Sequence, residues 1–177
     1  GLATVNGLNV LSFDGSDNVN MAGATVPTGS TPYTIFTVWN ASGNDQCVFI
    51  VGSKTTADAV FLYTTSTQKV RHGWWSYDLN TGDNVITYST SCYTCVFAGG
   101  QAYDERATRV NGASEASDNP NFIKTTGSTL AVLGAYSDGA TSQSLNGTIA
   151  EHIVYHRVLT SDEIAQVETY LAEKWGL

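Results

Sequence analysis

The sequence predicts an all-β body, a sandwich or barrel, closed by one C-terminal α-helix. Three observations carry that expectation. Apolar residues recur with period two, or in short unbroken runs, over most of the 177 residues. Turn-forming dipeptides separate the runs, and only the C-terminal segment switches to helical spacing. Many short strands with regular turns point away from a βαβ arrangement.

The expected strands are Val10–Phe13, Val19–Met21, Tyr33–Asn40, Gln46–Gly52, Ala59–Thr64, Lys69–Ser76, Asn84–Ser89, Cys92–Ala98, Arg106–Asn111, Leu130–Tyr136 and Gly147–His156. Tyr33-Thr-Ile-Phe-Thr-Val-Trp39 is apolar on both faces, as a central strand covered on two sides should be. The turns fall at Asp14-Gly15, Ser42–Asp45, Asn80–Asp83, Gly99-Gly100, Asn111-Gly112, Asp138-Gly139 and Asn146-Gly147.

The helix is expected over about Ser161–Lys174. Thr160-Ser-Asp-Glu163 reads as a capping box, in which the Thr160 hydroxyl caps and Glu163 reaches back. Ile164, Val167, Leu171 and Trp175 then follow at helical spacing, and Gly176 is a natural stop. The apolar stripe predicts packing on the end or flank of the β body.

Composition narrows the function. The chain carries a net charge of -8 with eight Lys and Arg residues, none clustered, so it lacks the cations that displace counterions from nucleic acid or bind an anionic membrane. No apolar run is long enough to insert into a bilayer. A glycan or a protein surface is the partner this charge admits. Residue 1 opens directly into domain-like sequence, which reads as a mature chain or an excised domain, with residues 1–177 forming one domain.

Cys47, Cys92 and Cys95 are an odd set, not a disulfide framework. Cys92 and Cys95 form a C-x-x-C, but on a strand they point to opposite faces, so buried inert thiols are expected. His72, His152 and His156 are expected at the surface or a strand edge. No Glu is placed within the His152/His156 pair as a zinc protease would require.

The order of these segments resembles the laminin-G-like jelly rolls of the concanavalin A-like lectin/glucanase superfamily. Gly147-Thr-Ile-Ala-Glu151 followed by Tyr155-His-Arg-Val-Leu-Thr-Ser-Asp-Glu163 is similar to the closing strand and helix start of that family. The ending Tyr170-Leu-Ala-Glu-Lys-Trp-Gly-Leu177 is similar to a tail of its bacterial and phage forms. Leu11–Gly15, Arg71-His-Gly-Trp-Trp-Ser-Tyr-Asp-Leu79, Cys92–Gly100, Val110-Asn-Gly112 and Leu130–Gly134 resemble successive family segments. The chain departs from the family at Cys92, where Trp or His is common, and at Arg109, where an aromatic is usual. The resemblance implies a two-sheet antiparallel jelly-roll sandwich with one C-terminal helix. It also implies a lectin-like role outside the cell, at a cell surface or on a virion, and calcium as a possible cofactor.

Retaining glucanases of the superfamily resemble one another in a Glu-x-Asp-x-Glu strand that aligns two carboxylates about 5 Å apart. No Glu here starts such a motif, and no Gly-x-Ser-x-Gly elbow exists, so no catalytic residue is assigned. For calcium, Asp14, Asp17 and Asn18 offer oxygen ligands in one tight turn, while Asp and Asn also suit turns for their own sake. For a ligand, Trp74, Trp75, Tyr77, Asp78 and Asp83 are the candidates. A strand would send one tryptophan inward and the other outward, with Tyr77 sharing the face of Trp75. A ring stacks on the C–H face of a sugar while polar groups bond its hydroxyls. Glu151 and Arg157 are expected to pair across the strand-to-helix bend.

The functional expectation is a non-catalytic recognition module for carbohydrate or a cell-surface polymer. The alternative is a virion or surface-assembly protein, such as a decoration, fibre or capsid-associated domain in symmetric copies. A glycoside hydrolase is the least supported.

Overall fold

The computed structural model describes residues 1–21, 27–127, 130–136 and 143–177. Two antiparallel sheets face each other. The seven-stranded sheet runs β1 (Leu2–Val5), β2 (Leu8–Asp14), β13 (Asn146–Tyr155), β4 (Tyr33–Ala41), β9 (Cys92–Ala98), β10 (Arg106–Val110) and β11 (Ala113–Asp118). The six-stranded sheet runs β3 (Val19–Asn20), β12 (Ala131–Leu133), β5 (Cys47–Val51), β6 (Val60–Thr65), β7 (Lys69–Gly73) and β8 (Asp78–Asn80). One helix, α1 (Ser161–Trp175), follows. The body is the antiparallel two-sheet sandwich that the sequence predicts.

Period-two alternation sorts each strand between layers. On β4, Ile35, Trp39 and Ala41 face the six-stranded sheet and join Phe49, Leu62 and Val96 in the central core, while Phe36 and Val38 face outward beneath the helix. A bulge in β13 between Ile149 and Glu151 keeps Ile149 and Val154 directed inward on either side of it. Asn111 and Gly112, at φ 47° and 81°, form the left-handed pair that closes the β10–β11 hairpin.

The helix starts as its sequence predicts. The Glu163 N–H donates to Thr160 Oγ1, and a Glu163 carboxylate oxygen accepts from the Thr160 N–H at 2.9 Å. It ends one residue later than expected, at Trp175, with Gly176 in the left-handed region. Ile164, Leu171 and Trp175 are buried against Val10, Phe36 and Tyr93, so α1 seals the outer face of the seven-stranded sheet. Glu168 fixes the docking, accepting from Arg109 Nε at 2.8 Å and Nη2 at 2.9 Å.

Several expectations need correction. Asn84–Ser89 is a loop: its amides bond Thr67, Gln68 and Ala41, and Ile86 plugs the core from the end. Strands β1, β8 and β11 were not expected. Glu151 and Arg157 do not pair. The bulge and bend separate them, so Arg157 forks onto Glu163, and Glu151 takes Lys174 and the Trp175 indole. His72 is a core residue, not a surface one. The Trp74 indole N–H donates to the Tyr33 hydroxyl at 2.7 Å, and that hydroxyl is hydrogen-bonded to His72 Nε2 at 2.6 Å, so the three side chains form one buried polar chain. His152 is half-buried against Phe49, and His156 is exposed as expected. All three cysteines are free and buried, with Cys92 in the central core and Cys95 on the helix side.

Candidate functional site

The outer face of the six-stranded sheet is built from cross-strand rows. One row runs Val132–Ile50–Phe61–Gly73–Asp78 over five strands, and the next runs Cys47–Tyr63–Arg71–Asn80. Glycine at 73 is required by this packing, because a Cβ there would overlap the Phe61 ring lying across β7. Phe61 and Tyr63 are buried under two further rings, Trp75 and Tyr136. Trp75 lies 6.4 Å from Phe61 and 5.6 Å from Tyr136, tilted 34° to the latter, and both Trp75 and Tyr136 keep a part-exposed edge.

Polar groups rim this aromatic cluster. Arg71 donates from Nε to Asn80 Oδ1 at 3.0 Å, pairs with Asp78 at 3.3 Å, and lies 5.9 Å from the Tyr63 ring. Lys54 lies 4.8 Å over the ring of Tyr136. The Tyr63 hydroxyl donates to Asp45 at 3.3 Å and accepts from Gln143 at 3.0 Å. Burial pushes the Tyr63 hydroxyl up to about 12, with the Asp45 charge adding to it. Burial likewise raises Tyr136, with Cys47 and Asp78 acting in the same direction. Both phenols therefore stay protonated and can donate as well as accept. The assembly presents part-exposed rings beside two cations, two carboxylates and two side-chain amides.

Of the expected ligand residues, Trp75 and Asp78 meet here. Trp74 does not: it is fully buried in the central core, with the Arg106 guanidinium 4.8 Å from its ring. Nor does Tyr77 share the face of Trp75. The strand stops at Gly73, Trp75 and Ser76 have φ of 28° and 69°, and Tyr77 turns back to stack on Phe122 at 3.4 Å. Asp83 is exposed and held by Thr67 at 2.8 Å and by Lys69 at 2.7 Å, Lys69 being the next outward-facing residue of β7 from Arg71. Those two hydrogen bonds, Lys69 first, hold its carboxyl below the usual range. Asp138 lies outside the described residues.

Arg71, Tyr63, Tyr136 and Lys54 were missed as site residues. The alternation of Lys69-Val-Arg-His-Gly73 carried the signal for Arg71, since Val70 and Arg71 must face opposite ways.

The turn proposed for calcium is closed on itself. Asp14 Oδ1 accepts from the Ser16 hydroxyl at 2.6 Å and its amide at 2.9 Å, and these bonds hold the Asp14 carboxyl below its ordinary range. Asp17 lies 3.8 Å from the N-terminal ammonium, and Asn18 is half-buried beside it. Among the described residues, no three carboxylate, imidazole or thiol side chains gather around a point that could hold a metal ion. No helix among them is long and apolar enough to cross a membrane.

No family model matches the sequence, and no curated protein matches it. Solved structures do match the fold. The carbohydrate-binding module CBM40 of the Ruminococcus gnavus IT-sialidase, bound to α2,3-sialyllactose, superposes with a TM-score of 0.72 at 20% identity, over 90% of this chain and 96% of that one. Domain 4 of AbnA, an extracellular arabinanase of Geobacillus stearothermophilus, in complex with arabinotriose, gives 0.71 at 13% identity, over 94% and 80%. Domains LG4-5 of the mouse laminin α1 chain give 0.62 at 11% identity, over 92% and 45%. The chain thus has the fold of the lectin-like jelly-roll β-sandwiches.

Proposed function

We propose that the protein is a non-catalytic carbohydrate-binding module, one domain working outside the cell, whose ligand face is the part-exposed Trp75–Tyr136 pair with Arg71, Asp78 and Asn80 beside it. The observation that carries this reading is that pair: two tilted rings seated on a buried aromatic floor, with a ring edge left to solvent and a guanidinium, a carboxylate and an amide in reach. A sugar ring presents an apolar C–H face and a polar rim, and this surface offers the complement of both. Two solved domains of the same fold were captured with oligosaccharides, which favours a glycan over a protein partner.

The test is a glycan array that includes α2,3-sialyllactose and arabinotriose, run with and without EDTA, followed by calorimetric titration of the strongest binder. Trp75→Ala and Arg71→Ala are expected to weaken binding by about tenfold or more while the near-ultraviolet circular dichroism keeps its native form. Equal binding with and without EDTA is expected, because the Asp14 turn satisfies itself. Absence of any glycan binding, or binding indifferent to Trp75→Ala, overturns the proposal.

A further inference from the structure

The segment that carries Trp75 is a four-residue loop, Trp74–Tyr77, between β7 and β8. Two consecutive non-glycine residues in it, Trp75 and Ser76, occupy positive φ. L-residues adopt that region against a steric penalty, and such a pair persists only where the surroundings hold it. The surroundings here are specific. The Ala57 N–H donates to both the Trp74 and Trp75 carbonyls, at 3.2 and 3.0 Å. The Tyr77 carbonyl accepts from the Trp74 N–H at 2.9 Å and from Arg106 Nη1 at 2.7 Å.

Arg106 belongs to the opposite sheet. Its side chain is almost fully buried, and Asp118 takes its other edge as a fork, from Nε at 2.9 Å and from Nη2 at 2.6 Å. Its guanidinium also lies over the Trp74 ring, whose indole N–H is bonded to Tyr33. One buried cation therefore ties β10 and β11 of one sheet to the ligand loop of the other.

We infer that Arg106, oriented by Asp118, is a positioning residue for the carbohydrate site: it holds the Trp74–Tyr77 loop in its strained form and so fixes the Trp75 ring before any ligand arrives. This rests on the proposed function for its consequence in binding. A platform ordered in advance loses less conformational freedom on association, so the clamp raises affinity without touching the sugar. The two planar hydrogen-bonding edges of arginine suit the task, since one side chain grips a carboxylate and a carbonyl together.

The experiment uses protein labelled with 5-fluorotryptophan. Its four tryptophans give four fluorine resonances, and Trp75→Phe identifies the one that matters. In the unaltered protein the Trp75 line is expected to be single and narrow. In Arg106→Met and Asp118→Asn it is expected to broaden or split, with the Trp39 and Trp175 lines unmoved. Binding of the strongest array glycan is expected to weaken by roughly tenfold in Arg106→Met, the scale of a hydrogen bond to a charged group, and by less in Asp118→Asn. Arg106→Lys, which keeps a donor for the Tyr77 carbonyl but loses the fork, is expected to fall between Arg106→Met and the unaltered protein. A lowered melting temperature with the Trp75 line and the glycan affinity unchanged overturns the inference and makes the arginine purely structural. If Arg106→Met does not fold, Asp118→Asn decides by the same two readings. If no glycan binds the unaltered protein, the proposed function fails, while the fluorine lines still decide whether the clamp exists.

Discussion

The two outer faces of the sandwich are covered in different ways. On the seven-stranded sheet, α1 lays Ile164, Leu171 and Trp175 over Val10, Phe36 and Tyr93. A helix satisfies its own backbone, so it can lie flat on an apolar sheet and bury its central rows. On the six-stranded sheet, the cover consists of single rings from loops, Trp75 and Tyr136, over Phe61 and Tyr63. Loop cover leaves ring edges and charged rims at the surface. The first face is closed by a helix, and the second is the one proposed for contact; each is the outer side of a different sheet.

The sharpest way to break that contrast is to empty the helix seam. Leu171→Ala removes a fully buried side chain and should cost about 2–5 kcal/mol in denaturant unfolding, with glycan affinity of the folded protein unchanged. A parallel loss of affinity would show that the faces are not separable.

Next comes the interior they share. His152 sits between the sheets with Nδ1 3.0 Å from Thr37 Oγ1, and burial holds it down at about 4 against an ordinary 6.5. Burial lowers His72 in the same direction. A histidine with a lowered folded pKa binds its proton more readily when unfolded. Its contribution is therefore complete above pH 6.5 and is lost as the pH falls from 6.5 to about 4, up to ~3 kcal/mol for His152. His152→Leu should flatten the acid limb of the stability profile over that window. Tryptophan fluorescence and helical circular dichroism should fall together in the unaltered protein, because both faces rest on one core.

The smallest effect belongs to the contact face. Gly73→Ala forces a methyl group into the Phe61 ring and should destabilise by about 1–3 kcal/mol, while displacing the floor under Trp75 and weakening glycan binding. Loss of stability with full binding would mean that Trp75 is seated independently of Phe61.

The sealed face was more legible in the sequence than the contact face, for a physical reason. A helix announces itself locally: the capping box, the stripe and the terminal glycine are all within one segment, and the boundary came within a residue of Trp175. Strands β4 and β9 were equally plain, because burial on both sides puts apolar residues on both of their faces. Edge strands are not. β11, Ala113-Ser-Glu-Ala-Ser-Asp118, has no apolar alternation because little of it is covered. The loop Asn84–Ser89 misled in the opposite way, since Val85, Ile86 and Tyr88 are apolar to plug an end, not to line a sheet. The reading of the Trp74–Tyr77 loop failed on a single assumption, that the strand continued past Gly73. Once φ turns positive at Trp75, alternation no longer says which ring faces out. Arg106 could not be assigned to the site at all, because its bond to the Tyr77 carbonyl forms only across the gap between sheets.

Cys92 and Cys95 lie on one extended strand and project through opposite sides of it, one into the central core and one beneath α1. Three residues of extended chain set their backbones about 10 Å apart, beyond the span of a disulfide. Burial pushes the Cys92 thiol up to about 12 and raises the other two as well. Neither oxidant nor reductant therefore has a bond to make or break within this chain, and the sandwich should keep the same architecture inside a reducing cytosol as in air-exposed surroundings.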